Sequence, residues 1–145
     1  MKRSTGLRNY LLDTGSMKAA LAGKVIIIYE GTEPATADAA IGGAVPLVTI
    51  SVNGTGTGVT MQATASGGQL VKNTSEVWKG TIVANGTASF FRMQTPADSG
   101  GSSTTAVRIQ GTCALNGGDM DLSTLSLILG NEREINSFVV SISAG

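Results

Sequence analysis

From Lys24 onward, apolar residues recur at every second position in short runs broken by glycine and asparagine. This period constrains the chain more than any other feature, because successive side chains of a strand point to opposite faces. Residues 47–52 set Val48, Ile50 and Val52 against Thr49 and Ser51, and residues 59–65 set Val59, Met61, Ala63 and Ala65 against Thr60, Gln62 and Thr64. Residues 105–113 turn Val107, Ile109 and Cys113 one way and Arg108, Gln110 and Thr112 the other, and in residues 135–143 Phe138, Val140 and Ile142 share a face. Asn53-Gly54 marks a tight reversal between the first two runs, and Asn85-Gly86 between residues 81–84 and 87–94 is the strongest hairpin signal. Residues 24–30 (KVIIIYE) are apolar on both faces, as a central strand covered on both sides would be. Roughly eight such strands predict a mainly β protein, an antiparallel two-sheet β-sandwich with jelly-roll or immunoglobulin-like order undecided. A partly closed barrel would give the same alternation, whereas the lack of a fixed internal period argues against propellers and solenoids.

Helical spacing occurs only before this region. Leu7, Tyr10, Leu11, Met17 and Leu21 fall near one face, Ser4 or Thr5 is placed to cap the start, and Gly15-Ser16 divides the segment. The expected organisation is therefore an N-terminal helical arm, residues 1–23, and a β-sandwich domain, residues 24–145. Residues 31–45, small and Ala-rich, read as a surface loop with one helical turn. If the sandwich closes its own core, the stripe of Leu7, Tyr10, Leu11 and Met17 either caps it or docks on another subunit, with Lys2, Arg3 and Arg8 at its rim. Phe90 and Phe91 point opposite ways, so one ring needs cover from a loop, the arm or another subunit. Arg92 and Arg108 alternate with apolar neighbours and are expected on faces turned away from the core, either solvated or paired across a subunit boundary. The candidate interface is thus Leu7, Tyr10, Leu11, Met17, Phe91, Arg92 and Arg108.

What the 145 residues lack narrows function. There is no histidine, ten basic residues balance ten acidic ones, and one cysteine stands alone. Zero formal charge leaves no electrostatic footprint for nucleic acid. The longest apolar run, residues 25–29, is far too short to span a bilayer, and Arg8, Asn9, Asp13 and Lys18 interrupt any signal-peptide core after Met1-Lys2-Arg3. Gly54, Gly56 and Gly58 are followed by a strand pattern rather than a helix, so they read as a turn and not a phosphate loop. Asp119 and Asp121 are too few for a calcium cage. Serine chemistry lacks a base, Cys113 sits on an apolar strand face, and no spacing brings two of Glu30, Glu76, Asp98 and Glu132 together. The expectation is a protein that is not an enzyme and holds no cofactor or metal. Trp78 is the one residue that would serve a carbohydrate- or receptor-binding module or an adhesin, and its burial separates that reading from assembly.

Several stretches together carry a resemblance: Ser4-Thr5-Gly6-Leu7-Arg8-Asn9 with Leu11-Leu12 and Thr14-Gly15-Ser16, Ile28-Tyr29 leading to Gly31-Thr32, Pro34-Ala35 and Ala37-Asp38-Ala39-Ala40, Trp78 with Gly80, Gly86-Thr87-Ala88 with Phe91-Arg92, and Ser103-Thr104-Thr105-Ala106 with Arg108-Ile109 and Gly111. In this order, over nearly the whole chain, they resemble a family of small virion structural proteins of tailed bacteriophages. The resemblance implies a particle component assembled in the bacterial cytoplasm, a homo-oligomer without catalytic residues. Its partners would be other virion proteins: the major capsid protein for a subunit that decorates or cements the head, or neck and tail proteins for an adaptor.

Overall fold

The structure is a computed structural model and describes residues 1–142. In chain order its elements are β1 (Lys2–Arg3), α1 (Thr5–Asp13), α2 (Met17–Leu21), β2 (Val25–Glu30), β3 (Val45–Val52), β4 (Gln69–Val71), β5 (Trp78–Thr81), β6 (Gly86–Thr87), β7 (Phe90–Gln94), β8 (Ile109–Ala114), β9 (Met120–Asp121), β10 (Ser126–Leu127), β11 (Glu132–Ile135) and β12 (Val139–Ser141). Ser4 caps α1, its hydroxyl accepting the Leu7 N–H at 3.1 Å. Ser16 caps α2 in the same way by accepting from Ala19. The broken spacing at Gly15-Ser16 therefore yields two short helices.

β2 lies at the centre of the main sheet, antiparallel to β3 on one side and β7 on the other. The order across the sheet is β1-β8-β7-β2-β3-β5-β11, with β9 added parallel to β8. Pro46 falls opposite Tyr29, where the register of β2 on β3 shifts, a position at which a strand tolerates a residue with no N–H. Two ribbons, β4 with β12 and β6 with β10, close the inner face. Leu70, Leu127, Phe138 and Val140 from this second layer join Ile26, Ile28, Ile50, Trp78, Phe91 and Met93 in one core. The result is the mainly β, antiparallel, sandwich-like fold expected, with helix confined to the N-terminal segment.

That segment is built into the sheet. β1 pairs with β8, Lys2 opposite Gln110 and Arg3 opposite Ile109, and Leu7, Ala20 and Leu21 are buried in the same core.

The two Asn-Gly signals have different fates. Asn53 (φ 53°) and Gly54 (φ 72°) form a left-handed turn closed by Thr55 N–H to Val52 O at 3.1 Å. Asn85-Gly86 closes no hairpin, since β5 is taken by β3 and β11, and β7 by β2 and β8. Gly86 pairs instead with Leu127, and the Asn85 Oδ1 accepts the Leu129 N–H. Competition from longer strands overrides the local turn preference.

Candidate functional site

The face of the main sheet turned away from the apolar core is a second, largely polar layer. Tyr29, Phe90, Arg92, Gln94 and Gln110 project from β2, β7 and β8 on this side, and all five are buried. Their cover comes from two loops, residues 31–44 and 95–108. Ile41 N–H donates to Gly100 O at 2.9 Å and Ser103 N–H to Asp38 O at 2.8 Å, so each loop holds the other. Asp38 also accepts from the Thr5 N–H and the Thr5 hydroxyl at the start of α1, fastening the cover to the helix.

Arg108 anchors the second loop. Its Nε and Nη2 donate to the two Asp98 carboxylate oxygens, both at 2.7 Å, while Nη2 also reaches Gly101 O and Nη1 reaches Ala37 O. A bidentate fork of this kind is the geometry for which arginine is suited. Hydrogen bonding from Arg108 holds the Asp98 carboxyl below its ordinary range against the opposing effect of burial, aided by the Gly100 N–H.

Arg92 is less completely satisfied. Its Nε and Nη2 both donate to Gln110 Oε1, the residue directly across from it on β8, and Gln110 Nε2 in turn bonds Pro34 O and Glu33. Burial, and then the neighbouring Arg108 charge, lower the Arg92 pKa. Among the described residues, Arg92 Nη1 and Gln94 Oε1 are buried without a hydrogen-bond partner. The Gln94 amide is oriented by its other end, whose Nε2 donates to Asp98 O.

Where the two loops part, a cleft of about 670 Å³ opens onto the sheet. Ile27, Tyr29, Pro46 and Thr49 form its floor together with Gln94, and Ile41, Ala44 and the segment from Asp98 to Gly101 form its walls. The volume lies within the ~300–1,000 Å³ typical of pre-formed ligand pockets. A second, more apolar hollow of about 390 Å³ lies between α2 and the β4–β12 ribbon, lined by Met17, Ala63, Leu70, Val140 and Ile142 among others.

The residues singled out from the sequence take different places. Arg92 and Arg108 lie, as expected, on the side away from the apolar core, but that side is not solvated: they are 0% and 2% exposed. The reason is the pair of covering loops, which supply the carboxylate and carbonyl partners that a buried guanidinium requires. The Arg108 partner is Asp98 of the same chain. Phe91 packs edge-on against Phe138 in the core at 5.6 Å, and the ring that needed other cover is Phe90, stacked on Tyr29 at 5.0 Å. Leu7 is fully buried, and Tyr10, Leu11 and Met17 pack half-buried against the same core. The stripe thus lies on its own sandwich.

Trp78 is buried in the core, its indole N–H bonded to Glu76 and its ring 5.4 Å from the Lys72 ammonium. Glu76 also accepts from the Thr60 N–H and hydroxyl. Burial raises its pKa, but these bonds outweigh that effect and hold the carboxyl below its usual value. Burial pushes the Cys113 thiol up to about 12. Asp119 bonds the Met1 ammonium, the Thr112 N–H and the hydrogen-bonded turn around it. No cluster of three or more metal-ligating side chains occurs among the described residues.

Sequence patterning did not single out the large apolar residues left in water. Leu12 is 85% exposed on α1, while Val83, Ile128 and Leu129 are each more than half exposed. The last three share a corner, because Ile82 N–H bonds Asn131 O and Gly130 N–H bonds Ile82 O. Residues 82–83 and 128–129 lie outside regular alternation, so only the structure brings them together.

Against family models, curated proteins and solved structures, the chain finds no match.

Proposed function

We propose that this chain is a non-enzymatic structural subunit of a tailed-bacteriophage particle, made in many copies and joined to neighbouring virion proteins. The observation that carries the reading is the division between inside and outside. Charged side chains suited to acid–base work are spent on fastening loops: Asp38 on Thr5, Asp98 on Arg108, and Glu76 on Thr60 and Trp78. Large apolar residues, in contrast, stand exposed at the corner of Val83, Ile128 and Leu129. A carboxylate held ionised by several donors is a poor proton donor near neutral pH, whereas exposed aliphatic side chains suit contact with another subunit. The sequence resemblance to small virion proteins supports the same conclusion. Burial of Trp78 removes the aromatic platform on which a carbohydrate-binding module would rely.

Within the particle, decoration or cementing of the capsid through contact with the major capsid protein is favoured over attachment at the neck or tail. Closed symmetry makes copy number the deciding measurement. Quantitative mass spectrometry of purified virions should find the chain in hundreds of copies for a head subunit, and in roughly a dozen or fewer for a neck or tail component. A phage whose purified particles lack the chain would overturn the proposal. Val83→Glu together with Leu129→Lys should reduce incorporation while the isolated domain keeps its melting temperature.

A further inference from the structure

We propose that the cleft between the two covering loops is a docking site for a short, neutral stretch of extended polypeptide, with an aliphatic side chain beside a free backbone N–H. Three properties of the cleft select this occupant. Its floor holds a buried acceptor without a donor, Gln94 Oε1, on a residue 1% exposed. The amide cannot turn around to relieve this, because Nε2 is committed to Asp98 O, where an oxygen would be repelled. A buried acceptor left unpaired costs more than a satisfied one gains, so an occupant that brings a donor is favoured.

Charge sets the second requirement. Asp98 is the one ionised side chain lining the cleft, and its two oxygens are taken by Arg108. A cationic occupant would find no free carboxylate and would face the nearby Arg108 and Arg92. An anionic one would meet the Gln94 acceptor. A neutral occupant avoids both costs.

Shape sets the third. Floor residues come from β3, β2 and β7, so the cleft crosses three adjacent strands and is about 10 Å across. Ile27, Ile41, Ala44 and Pro46 supply aliphatic surface along it. The Tyr29 ring is already stacked on Phe90 and is largely covered, which leaves no aromatic face for a sugar. An extended peptide matches the length, the walls and the donor. This inference stands independently of the particle reading, since any protein segment of this chemistry would fit.

The test is a titration of the full chain, followed by two-dimensional amide NMR, with a capped alanine–leucine–alanine tripeptide as probe. Saturable shifts are expected at Ile41, Thr49, Gln94 and Gly100. A set of peptides N-methylated at one amide each then identifies the donor: one of them should bind about 5- to 10-fold more weakly, as loss of a neutral hydrogen bond predicts. That loss should vanish against Gln94→Leu, whose spectrum shows whether it is folded. Thr49→Phe, at an exposed strand position, should fill the cleft and abolish binding without lowering the melting temperature. The proposal fails if no shifts saturate up to ~10 mM, well above a weak Kd of ~1 mM. It also fails if N-methylation never matters, or if 3-methylbutanamide binds as tightly as the peptide, which would mark a small-molecule pocket.

Discussion

Replacing Asp98 with asparagine should be among the most damaging single changes in the chain, although it removes only a charge. The substitution leaves Arg108, 2% exposed, without its carboxylate partner and breaks two bonds of 2.7 Å each. Leaving one member of a buried ion pair uncompensated costs about 3–5 kcal/mol. For a chain of this size, 1 kcal/mol shifts the melting temperature by ~3 °C, so a fall of about 10–15 °C is expected. Arg108→Met should cost less. It strands the Gly101 and Ala37 carbonyls, but Asp98 keeps the Gly100 N–H and is 11% exposed, so water can reach its oxygens. A loss of about 1–3 kcal/mol follows from unpaired polar groups alone. Urea titration of the wild-type chain and both variants, with calorimetry for the midpoints, would measure the difference. A loss below ~1 kcal/mol for Asp98→Asn, or the reverse order of the two variants, would refute the view that Asp98 is the counter-ion on which the covering loop depends.

Acid should expose the same dependence more broadly. Asp98 and Asp38 are held down chiefly by hydrogen bonds from Arg108 and Thr5, and Glu76 and Asp119 are held down despite burial. Carboxyls whose folded pKa is depressed contribute stability above their unfolded value of ~4 and lose it as pH falls through the folded value. The melting temperature should therefore hold from neutral pH to about 5 and drop steeply below ~4, as circular dichroism would show. Gly80→Ala should destabilise by about 3 kcal/mol in denaturant titration, because a Cβ there would meet the Thr49 carbonyl across the β3–β5 pairing. Removing residues 1–23 should cost several kcal/mol, since it deletes β1 and buried Leu7 and Leu21, each such side chain being worth roughly 1.5–3 kcal/mol. A truncated chain that melts like the whole one would contradict this. Cys113 should resist a disulfide reagent at pH 8 in the folded protein and react only on denaturation.

How much of this was legible in the sequence depended on whether side-chain type identified a residue's surroundings. The residues of β2 have no polar face, so double cover followed directly, and Ile26, Ile28 and Tyr29 are all buried. Ser4 and Ser16 precede helical spacing and cap as read. The second layer was hidden because an arginine between Val107 and Ile109 has the same pattern whether it meets water or a loop carboxylate. Only the length of the small-residue stretch 31–45 hinted that something lay over the sheet. Asn85-Gly86 misled for a related reason: a turn preference of local origin was outweighed by strands that pair across the chain. The cleft was not legible, because its floor residues Ile27, Thr49 and Gln94 belong to three separate strands and its walls to two loops.

The pairing of β1 with β8 sets a problem of timing. Lys2 lies opposite Gln110, and the Arg3 guanidinium donates to Ser141 O at 2.8 Å, 138 positions further along. A ribosome adding roughly 5–20 residues per second needs on the order of 5–20 s to deliver the partner of the opening strand. Throughout that interval Leu7 and Leu21 have no completed core to enter, and closing so long a loop is entropically slow. The opening segment is thus synthesised first and seated last, which makes the nascent chain most prone to association with its neighbours on the polysome just before β8 emerges.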